Sequence, residues 1–230
     1  MDYDEFIREY LRKLVIEHGL YGAVVTSTSE HGVGQVISSR IVSPKWFNLP
    51  SREYAIVRGK EYMMECSLHG FKAHVFTAKP YIGSIEIKDV VELELDRLIN
   101  RSIFYCTLNV VLKYLGLVKG TIHCRGDEPV KCAREMIKKL LREHGVESPL
   151  LIIGYQPAIV HEATRYFREV YVTDMDPDNI GKEINGVKIL DHSYELDLID
   201  RVEVVLVTSS SIVNSTFWDI YEASMNKYLY

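Results

Sequence analysis

Apolar residues in the first half of the chain change their spacing from helical to extended and back. Between residues 4 and 18 they recur every three to four positions, which predicts an amphipathic helix that Gly19 ends. Four extended runs follow at 21–27, 34–41, 71–77 and 81–91, and the Ser-Glu-His-Gly turn between the first two predicts a β-hairpin. From 92 to 115 the helical spacing returns. We therefore expect a long helix that covers a first sheet.

The second half has the alternation of strands and helices that builds a parallel sheet. A short strand at 121–124 precedes a helix over 128–143, whose first turn tolerates Pro129. Four large aliphatic residues at 150–153 are typical of a strand buried on both faces. The remaining predicted elements are a helix over 158–168, strands over 170–173, 186–190 and 202–208, and a helix over 214–227. These elements predict an α/β fold with a mostly parallel sheet in the C-terminal half.

Composition limits the classes of protein that fit this pattern. A chain of 230 residues with 47% hydrophobic content can fill a real core. A net charge of −5 and a pI near 5.9 give no overall basic field of the kind that nucleic-acid binding uses. No apolar stretch approaches the ~20 residues that span a bilayer, and the acidic N-terminus lacks the basic region of a signal peptide. We expect a soluble cytoplasmic protein with neither a nucleic-acid nor a membrane partner.

The four cysteines bear on the redox state of the cellular compartment in which the protein works. Cys66, Cys106, Cys124 and Cys132 have no CxxC spacing, and in an ordinary cytosol they are expected to be free thiols. Internal disulfides are expected only if the organism is a hyperthermophile. The scarcity of glutamine points to a thermophile, because thermolabile amides are depleted in such proteins.

The first candidate site lies where two predicted strands end. Gly154 follows one strand and Asp174 the next, and open α/β sheets bind ligands outside the carboxyl ends of their strands. A glycine there lets a ligand approach, and an acid can hold a ribose hydroxyl. The sequence Gly-Tyr-Gln156-Pro157 replaces GxGxxG, so S-adenosylmethionine or a small anion fits better than NAD. Alternatively, Gly154 only makes a tight turn and Asp174 only caps one.

The second candidate is the hydroxyl-rich stretch after the last predicted strand. Ser209, Ser210 and Ser211 lead through Asn214 to Thr216, and free amides at a helix N-terminus favour anions. Ordinary capping by Asn214 or Ser215 is the alternative.

The third candidate is a metal site. His123, Cys124 and Cys132, with Asp127 and Glu128 nearby in sequence, offer mixed ligands for a soft or borderline divalent metal. Alternatively, the thiols are buried and inert, or Arg125 and the helix N-terminus receive an acidic ligand group. We expect His31, His69, His74 and His161 to be ordinary surface or core residues.

Four motifs carry a resemblance to a known family. They are Thr-Ile-His-Cys-Arg-Gly-Asp-Glu-Pro-Val-Lys-Cys-Ala, Ile-Gly-Tyr-Gln-Pro-Ala-Ile-Val, Asp-Met-Asp-Pro-Asp-Asn-Ile-Gly and Val-Thr-Ser-Ser-Ser-Ile-Val-Asn-Ser-Thr. In this order they resemble prokaryotic proteins of unknown function described as "putative heavy-metal chelation", over roughly 120–219. The resemblance implies an α+β domain similar to the enolase N-terminal domain over 1–118 and a Rossmann-like domain over 119–230. It also implies a ligand in the cleft between them and adds Asn109 as a candidate residue.

The leading hypothesis is a protein that binds a heavy-metal ion or a metal-associated metabolite. His123, Cys124 and Cys132 are its expected metal ligands. The other expected ligand-binding residues are Asn109, Arg125, Asp127, Glu128, Gly154, Gln156, Pro157, Asp174, Asp176, Ser209, Ser210, Ser211, Asn214 and Thr216. Two alternatives stay open, an enzyme that uses S-adenosylmethionine and a non-catalytic regulatory or interaction protein. The tyrosine-rich C-terminal helix also offers an interface for a homo-oligomer.

Overall fold

The chain forms two compact units in a computed structural model that describes residues 3–22, 35–119 and 123–230. Unit 1 comprises Met1–Trp46 and Arg58–Ile122, and unit 2 comprises Phe47–Val57 and His123–Tyr230. A short segment of the N-terminal half, residues 47–57, therefore belongs with the C-terminal half. The predicted boundary between residues 118 and 119 stays a prediction.

Unit 1 is an antiparallel sheet covered by a long helix. Its elements are α1 (Tyr3–Glu17), β1 (Val36–Ile41), β2 (Tyr62–Leu68), β3 (Phe71–Thr77), β4 (Gly83–Glu86), α2 (Ile87–Val91) and α3 (Leu98–Tyr114). The strand order is β3-β2-β1-β4, and α3 packs on β2 and β3. Cys66 of β2 and Cys106 of α3, both fully buried, form a disulfide that ties the helix to the sheet.

Two expectations for unit 1 were wrong in detail, and one strand was missed. Residues 81–91 are not one extended run, because β4 ends at Glu86 and a helix follows in which Ile87, Val90 and Val91 are buried at helical spacing. The long helix begins at residue 98, not 92, and β2 was not predicted. Most of the predicted hairpin partner at 21–27, its turn and His31 lie outside the described residues.

Unit 2 contains a six-stranded sheet between helices. Its elements are α4 (Glu128–His144), β5 (Leu150–Ile153), α5 (Pro157–Tyr166), β6 (Val170–Asp174), β7 (Glu183–Ile184), β8 (Val187–Asp191), α6 (Glu195–Ile199), β9 (Val204–Val207), α7 (Ser210–Val213), α8 (Phe217–Ala223) and β10 (Tyr228–Leu229). The strand order is β10-β9-β5-β6-β8-β7, parallel except for the β7–β8 pair. The predicted mixed α/β fold with a mostly parallel sheet is confirmed.

The central strand β5 explains the layers of unit 2. Its four side chains alternate between two faces because successive strand residues point in opposite directions. Leu150 and Ile152 pack with Ile137 and Leu140 of α4, whereas Leu151 and Ile153 pack with residues of α6 and α8. All four are buried, so β5 lies in the middle layer with helices on both sides.

Two further expectations for unit 2 need correction. The helix predicted over 214–227 is shortened to α8 and begins only at Phe217, because Ser215 adopts a left-handed conformation with φ of 73° and the Asn214 side chain accepts a hydrogen bond from the Thr216 amide. The single turn α7 ends before residue 214 and was not predicted. Of the strand predicted at 121–124, residues 121 and 122 lie outside the described residues, and His123 and Cys124 have no regular structure.

Among the described residues no helix is both long and apolar enough to cross a bilayer.

Candidate functional site

The parallel strands of unit 2 end along one edge of the sheet, as the sequence predicted. Asp174 and Asp191 are the last residues of β6 and β8 and are paired across the two strands. Gly154 and Thr208 follow β5 and β9, which also run side by side. This edge therefore brings Gly154, Asp174 and the start of the hydroxyl-rich stretch together.

Gly154 is required at this edge by close packing. Its φ is 90°, and a Cβ at this position would lie 2.6 Å from Cγ2 and 3.1 Å from Cβ of Thr208. Its amide donates to the carbonyl of Thr173 at 2.9 Å. The space that a side chain would occupy is thus filled by the Thr208 methyl group, which gives the glycine a packing role. Its predicted role in ligand approach stays a prediction.

The carboxylate of Asp174 organises the surrounding loops. Oδ2 accepts a hydrogen bond from the Tyr155 amide at 2.6 Å. Oδ1 accepts from the Asp176 amide at 2.7 Å and from Nδ2 of Asn179 at 3.3 Å. Three donors from two loops therefore converge on Asp174. This is the turn-capping arrangement that the sequence left open as the alternative to ribose binding.

Residues of the second candidate stretch bond mainly to one another. Oγ of Ser211 donates to the Thr208 carbonyl at 2.6 Å, and Oδ1 of Asn214 accepts from the Thr216 amide and hydroxyl at 3.2 and 2.8 Å. Residues Ser210–Val213 form only a single helical turn, α7, which Ser209 precedes. These bonds are the local capping that the sequence left open as the alternative, and the anion site stays a prediction.

Gln156 and Pro157 start α5 beside the same edge. Nε2 of Gln156 donates to Oγ1 of Thr208 at 3.5 Å, and Pro157 is the first residue of the helix. A proline is tolerated there because the first amides of a helix have no partner within it.

Cys124 and Cys132 come together although eight positions separate them. Their Sγ atoms lie 2.9 Å apart, and neither cysteine is in a disulfide. Cys132 lies in the second turn of α4 and is exposed, whereas Cys124, in the irregular segment before the helix, is half-buried. Burial and the neighbouring Cys132 thiol raise the pKa of Cys124 to about 11. The two residues form an accessible dithiol.

Polar residues between the two cysteines are held by local bonds. The Arg125 amide donates to Oε2 of Glu128 at 2.7 Å, and Nζ of Lys131 lies 3.0 Å from the Asp127 carboxylate, which lowers the pKa of that carboxyl. Throughout residues 3–22, 35–119 and 123–230 no group of three histidine, cysteine or acidic side chains has a metal-binding arrangement. The structure thus brings together Cys124 and Cys132 of the expected ligand set, and His123 as a third ligand stays a prediction.

Residues 47–57 contribute groups that the sequence did not single out. Oε1 of Glu53 accepts from the Tyr155 hydroxyl at 3.4 Å, and Oε2 lies 3.7 Å from Nε2 of His161. The Gly126 amide, two residues after Cys124, donates to the Phe47 carbonyl at 2.8 Å. No periodicity marks this segment, so the sequence held no signal for its placement beside the dithiol loop.

A buried acid lies behind the ends of β6 and β8. Glu195 opens α6, and its Oε1 accepts from Oγ1 of Thr173 at 3.1 Å. Burial raises the pKa of this carboxyl, an effect that the Thr173 hydrogen bond and His192 oppose and that Asp174 and Asp191 reinforce. Asn109, by contrast, belongs to unit 1, where its Nδ2 donates to the carbonyl of His74 at 3.1 Å.

Comparison with known protein families finds a match in the C-terminal part of the chain. A family model, DUF364, described as "Putative heavy-metal chelation", matches residues 139–229. The expected family resemblance is confirmed. No curated protein matches the chain.

Two solved structures of DUF364 proteins of unknown function are similar to this chain. The one from Pyrococcus horikoshii aligns with a TM-score of 0.56 at 12% identity, over 96% of this chain and 74% of that one. The one from Desulfitobacterium hafniense DCB-2 aligns with a TM-score of 0.48 at 10% identity, over 72% of this chain and 64% of that one. At this level of identity the first likeness shows the fold alone.

Proposed function

We propose that unit 2 binds a thiophilic heavy-metal ion between Cys124 and Cys132. The observation that carries this proposal is the 2.9 Å separation of the two Sγ atoms at an accessible position. A tetrahedral ion with metal–sulfur bonds of about 2.3 Å holds two thiolates about 3.8 Å apart, so the pair needs to open by about 1 Å. Cys124 lies outside regular structure, and that segment can supply the movement.

The donor set favours soft ions. Thiolates select ions such as Cd²⁺, Hg²⁺ and Cu⁺, whereas carboxylates and imidazole suit harder or borderline ions. Asp127 and Glu128, the acids nearest in sequence to the dithiol, are already engaged in local bonds with Lys131 and with the Arg125 amide. With two thiolates from the chain, any remaining ligands would come from water, a small thiol or His123. The dithiol lies outside residues 139–229, which the DUF364 model matches, so the proposal rests on the donor set and its geometry and not on the family description.

Unit 2 also fits the finer fold that the sequence predicted. The strand order β8-β6-β5-β9 is the 3-2-1-4 order of a Rossmann-type half, with β5 as the first strand. The antiparallel sheet and helices of unit 1 are compatible with the predicted enolase-N-terminal-like fold. The interdomain location of the ligand, the cytoplasmic location and the thermophilic origin stay predictions.

Titration of the reduced protein with Cd²⁺ tests the proposed site. We expect one ion per chain, detected by calorimetry and by the ultraviolet charge-transfer band of cadmium–thiolate bonds. Cys124→Ser and Cys132→Ser should each weaken binding by about 100-fold or more, because a single thiolate cannot chelate. The buried Cys66–Cys106 disulfide offers no competing thiolate. Equal affinity in the wild type and both serine variants would contradict the proposal.

Two further variants locate the site more sharply. Asp174→Asn changes the other candidate edge and should leave Cd²⁺ affinity unchanged if the dithiol is the metal site. His123→Ala asks whether the imidazole joins the thiolates: weaker binding adds it to the ligand set, and unchanged binding leaves a two-thiolate site. Thermal unfolding of each variant without metal checks that the fold is intact.

A further inference from the structure

The two cysteine pairs of this chain differ in their exposure to solvent. Cys66 and Cys106 are fully buried between β2 and α3 and already form a disulfide. Cys132 is exposed, and its Sγ lies 2.9 Å from that of Cys124. Small oxidants and thiols can therefore reach the second pair but not the first.

We propose that Cys124 and Cys132 form a reversible disulfide and that this oxidation and metal binding exclude each other. The inference rests on the proposed metal site, because it assigns a regulation to the same two thiols. The sulfurs need to approach by only about 0.9 Å to reach the about 2.05 Å length of a disulfide bond. Closing the pair requires about as small a movement as the opening that a metal demands.

The position of each cysteine supports closure. Cys132 is fixed by the second turn of α4, and Cys124 lies in a segment without regular structure that turns at Gly126, whose φ is 54°. A bond between a helical residue and an irregular segment can form by adjustment of that segment alone.

The chemistry needs one two-electron oxidant, a low-molecular-weight disulfide such as oxidised glutathione. The exposed Cys132 thiolate attacks one sulfur of that disulfide, whose S–S bond breaks and releases one small thiol. Cys124, after losing its proton to solvent, then attacks Sγ of Cys132 and displaces the second small thiol. Two protein thiols are oxidised and one small disulfide is reduced to two thiols. Because both sulfurs now share a bond, neither remains as a thiolate ligand.

Oxidation of the full chain in glutathione buffers tests this inference. We incubate metal-free and Cd²⁺-loaded protein with oxidised glutathione and follow the linked peptide containing Cys124 and Cys132 by mass spectrometry. The metal-free protein should lose two hydrogens and form the intramolecular bond, and its Cd²⁺ affinity should fall by about 100-fold or more and recover with dithiothreitol. Oxidation of the Cd²⁺-loaded protein should be slower by at least about tenfold, because thiolates bound to the metal are protected from the oxidant.

The outcomes separate the inference from the proposed function. If the reduced protein binds Cd²⁺ but gives only mixed disulfides with glutathione, or none, the redox inference fails and the metal site stands. If the pair closes but the reduced protein binds no Cd²⁺, the metal site and the mutual exclusion fail while the disulfide itself remains. Cys124→Ser is the matched control, since it keeps the exposed attacking thiol of Cys132 but lacks the second thiol that closes the bond within the chain.

Discussion

Gly154 and Thr208 show how one residue can be dictated by its neighbour. The sequence suggested that the glycine lets a ligand approach, which stays a prediction. The structure shows a packing reason for the glycine, because the Thr208 methyl group lies 2.6 Å from where a Cβ would be. The positive φ of 90° adds a second reason for glycine. The sequence thus indicated that residue 154 has a special role. It did not reveal the contact with Thr208 that requires a glycine there.

We expect Gly154→Ala to lower the free energy of unfolding by about 3 kcal/mol, from left-handed strain and overpacking together. Gly186→Ala is the matched control, because Gly186 has a φ of 84° but no atom within 4 Å of an added Cβ, and it should cost about 1 kcal/mol. Urea unfolding measures both. Adding Thr208→Ser to Gly154→Ala should recover part of the loss; a double variant no more stable than the single one would refute the steric explanation.

Glu195 links stability to pH. Burial raises the pKa of its carboxyl above the usual 4.5. At low pH the group is protonated in both folded and unfolded chains, so it contributes nothing. As pH rises through the raised native pKa, the folded protein must ionise a buried acid, and the free energy of unfolding falls.

We therefore expect Glu195→Gln to be more stable than the wild type at pH 8, with a difference that vanishes towards pH 4. Urea unfolding at several pH values measures the effect. Glu183→Gln, which removes one exposed charge, is the control and should show no such trend. A constant difference between the Glu195→Gln variant and the wild type across this range would show that ionisation is not the cause.

At the scale of elements, the sequence predicted the strand that is buried on both faces. It misplaced the ends of elements whose length depends on contacts with other parts of the chain. The run Leu150–Ile153 forms the expected strand, because four consecutive large aliphatic residues bounded by turn residues are typical of a strand buried on both faces. Residues 87–91 were expected as strand, since a short apolar run fits either period until its burial is known. The final helix was expected to begin at residue 214 instead of 217, because periodicity does not reveal the hydrogen bond between the Asn214 side chain and residue 216.

The disulfide between β2 and α3 is an element-scale constraint that the spacing of the cysteines did not reveal. It joins residues 40 positions apart. Closing a loop of this length restricts the unfolded chain and so stabilises the folded protein by about 4 kcal/mol. The double variant Cys66→Ala/Cys106→Ala should therefore unfold at a lower urea concentration. Cys124→Ser/Cys132→Ser also removes two cysteines and should leave the transition of metal-free reduced protein nearly unchanged. Equal effects would mean that the buried pair does not act as a cross-link.

At the scale of the whole molecule, the candidate site could be predicted only in pieces. Both halves of the dithiol were named from the sequence, because cysteine is informative wherever it occurs. Glu53 and the rest of residues 47–57 were missed, since their membership of unit 2 depends on packing far along the chain. Contacts such as the Gly126–Phe47 hydrogen bond have no local sequence signature.

The membership of residues 47–57 in unit 2 leads to a prediction about where stability is lost. Phe47 is only 4% exposed, so Phe47→Ala should cost about 3 to 5 kcal/mol. Trp46, its neighbour in sequence, is 40% exposed and belongs to unit 1, and Trp46→Ala should cost less than about 1 kcal/mol.

Hydrogen exchange distinguishes the unit that is affected. If Phe47 belongs to unit 2, its loss should speed exchange at the Gly126 amide, which donates to the Phe47 carbonyl, and in β5. Amides of β1, which is only six residues away in sequence, should keep their protection because they belong to unit 1. Faster exchange in β1 with unchanged protection in β5 would assign the segment to unit 1 instead, and the dithiol loop would then lose its proposed support from residues 47–57.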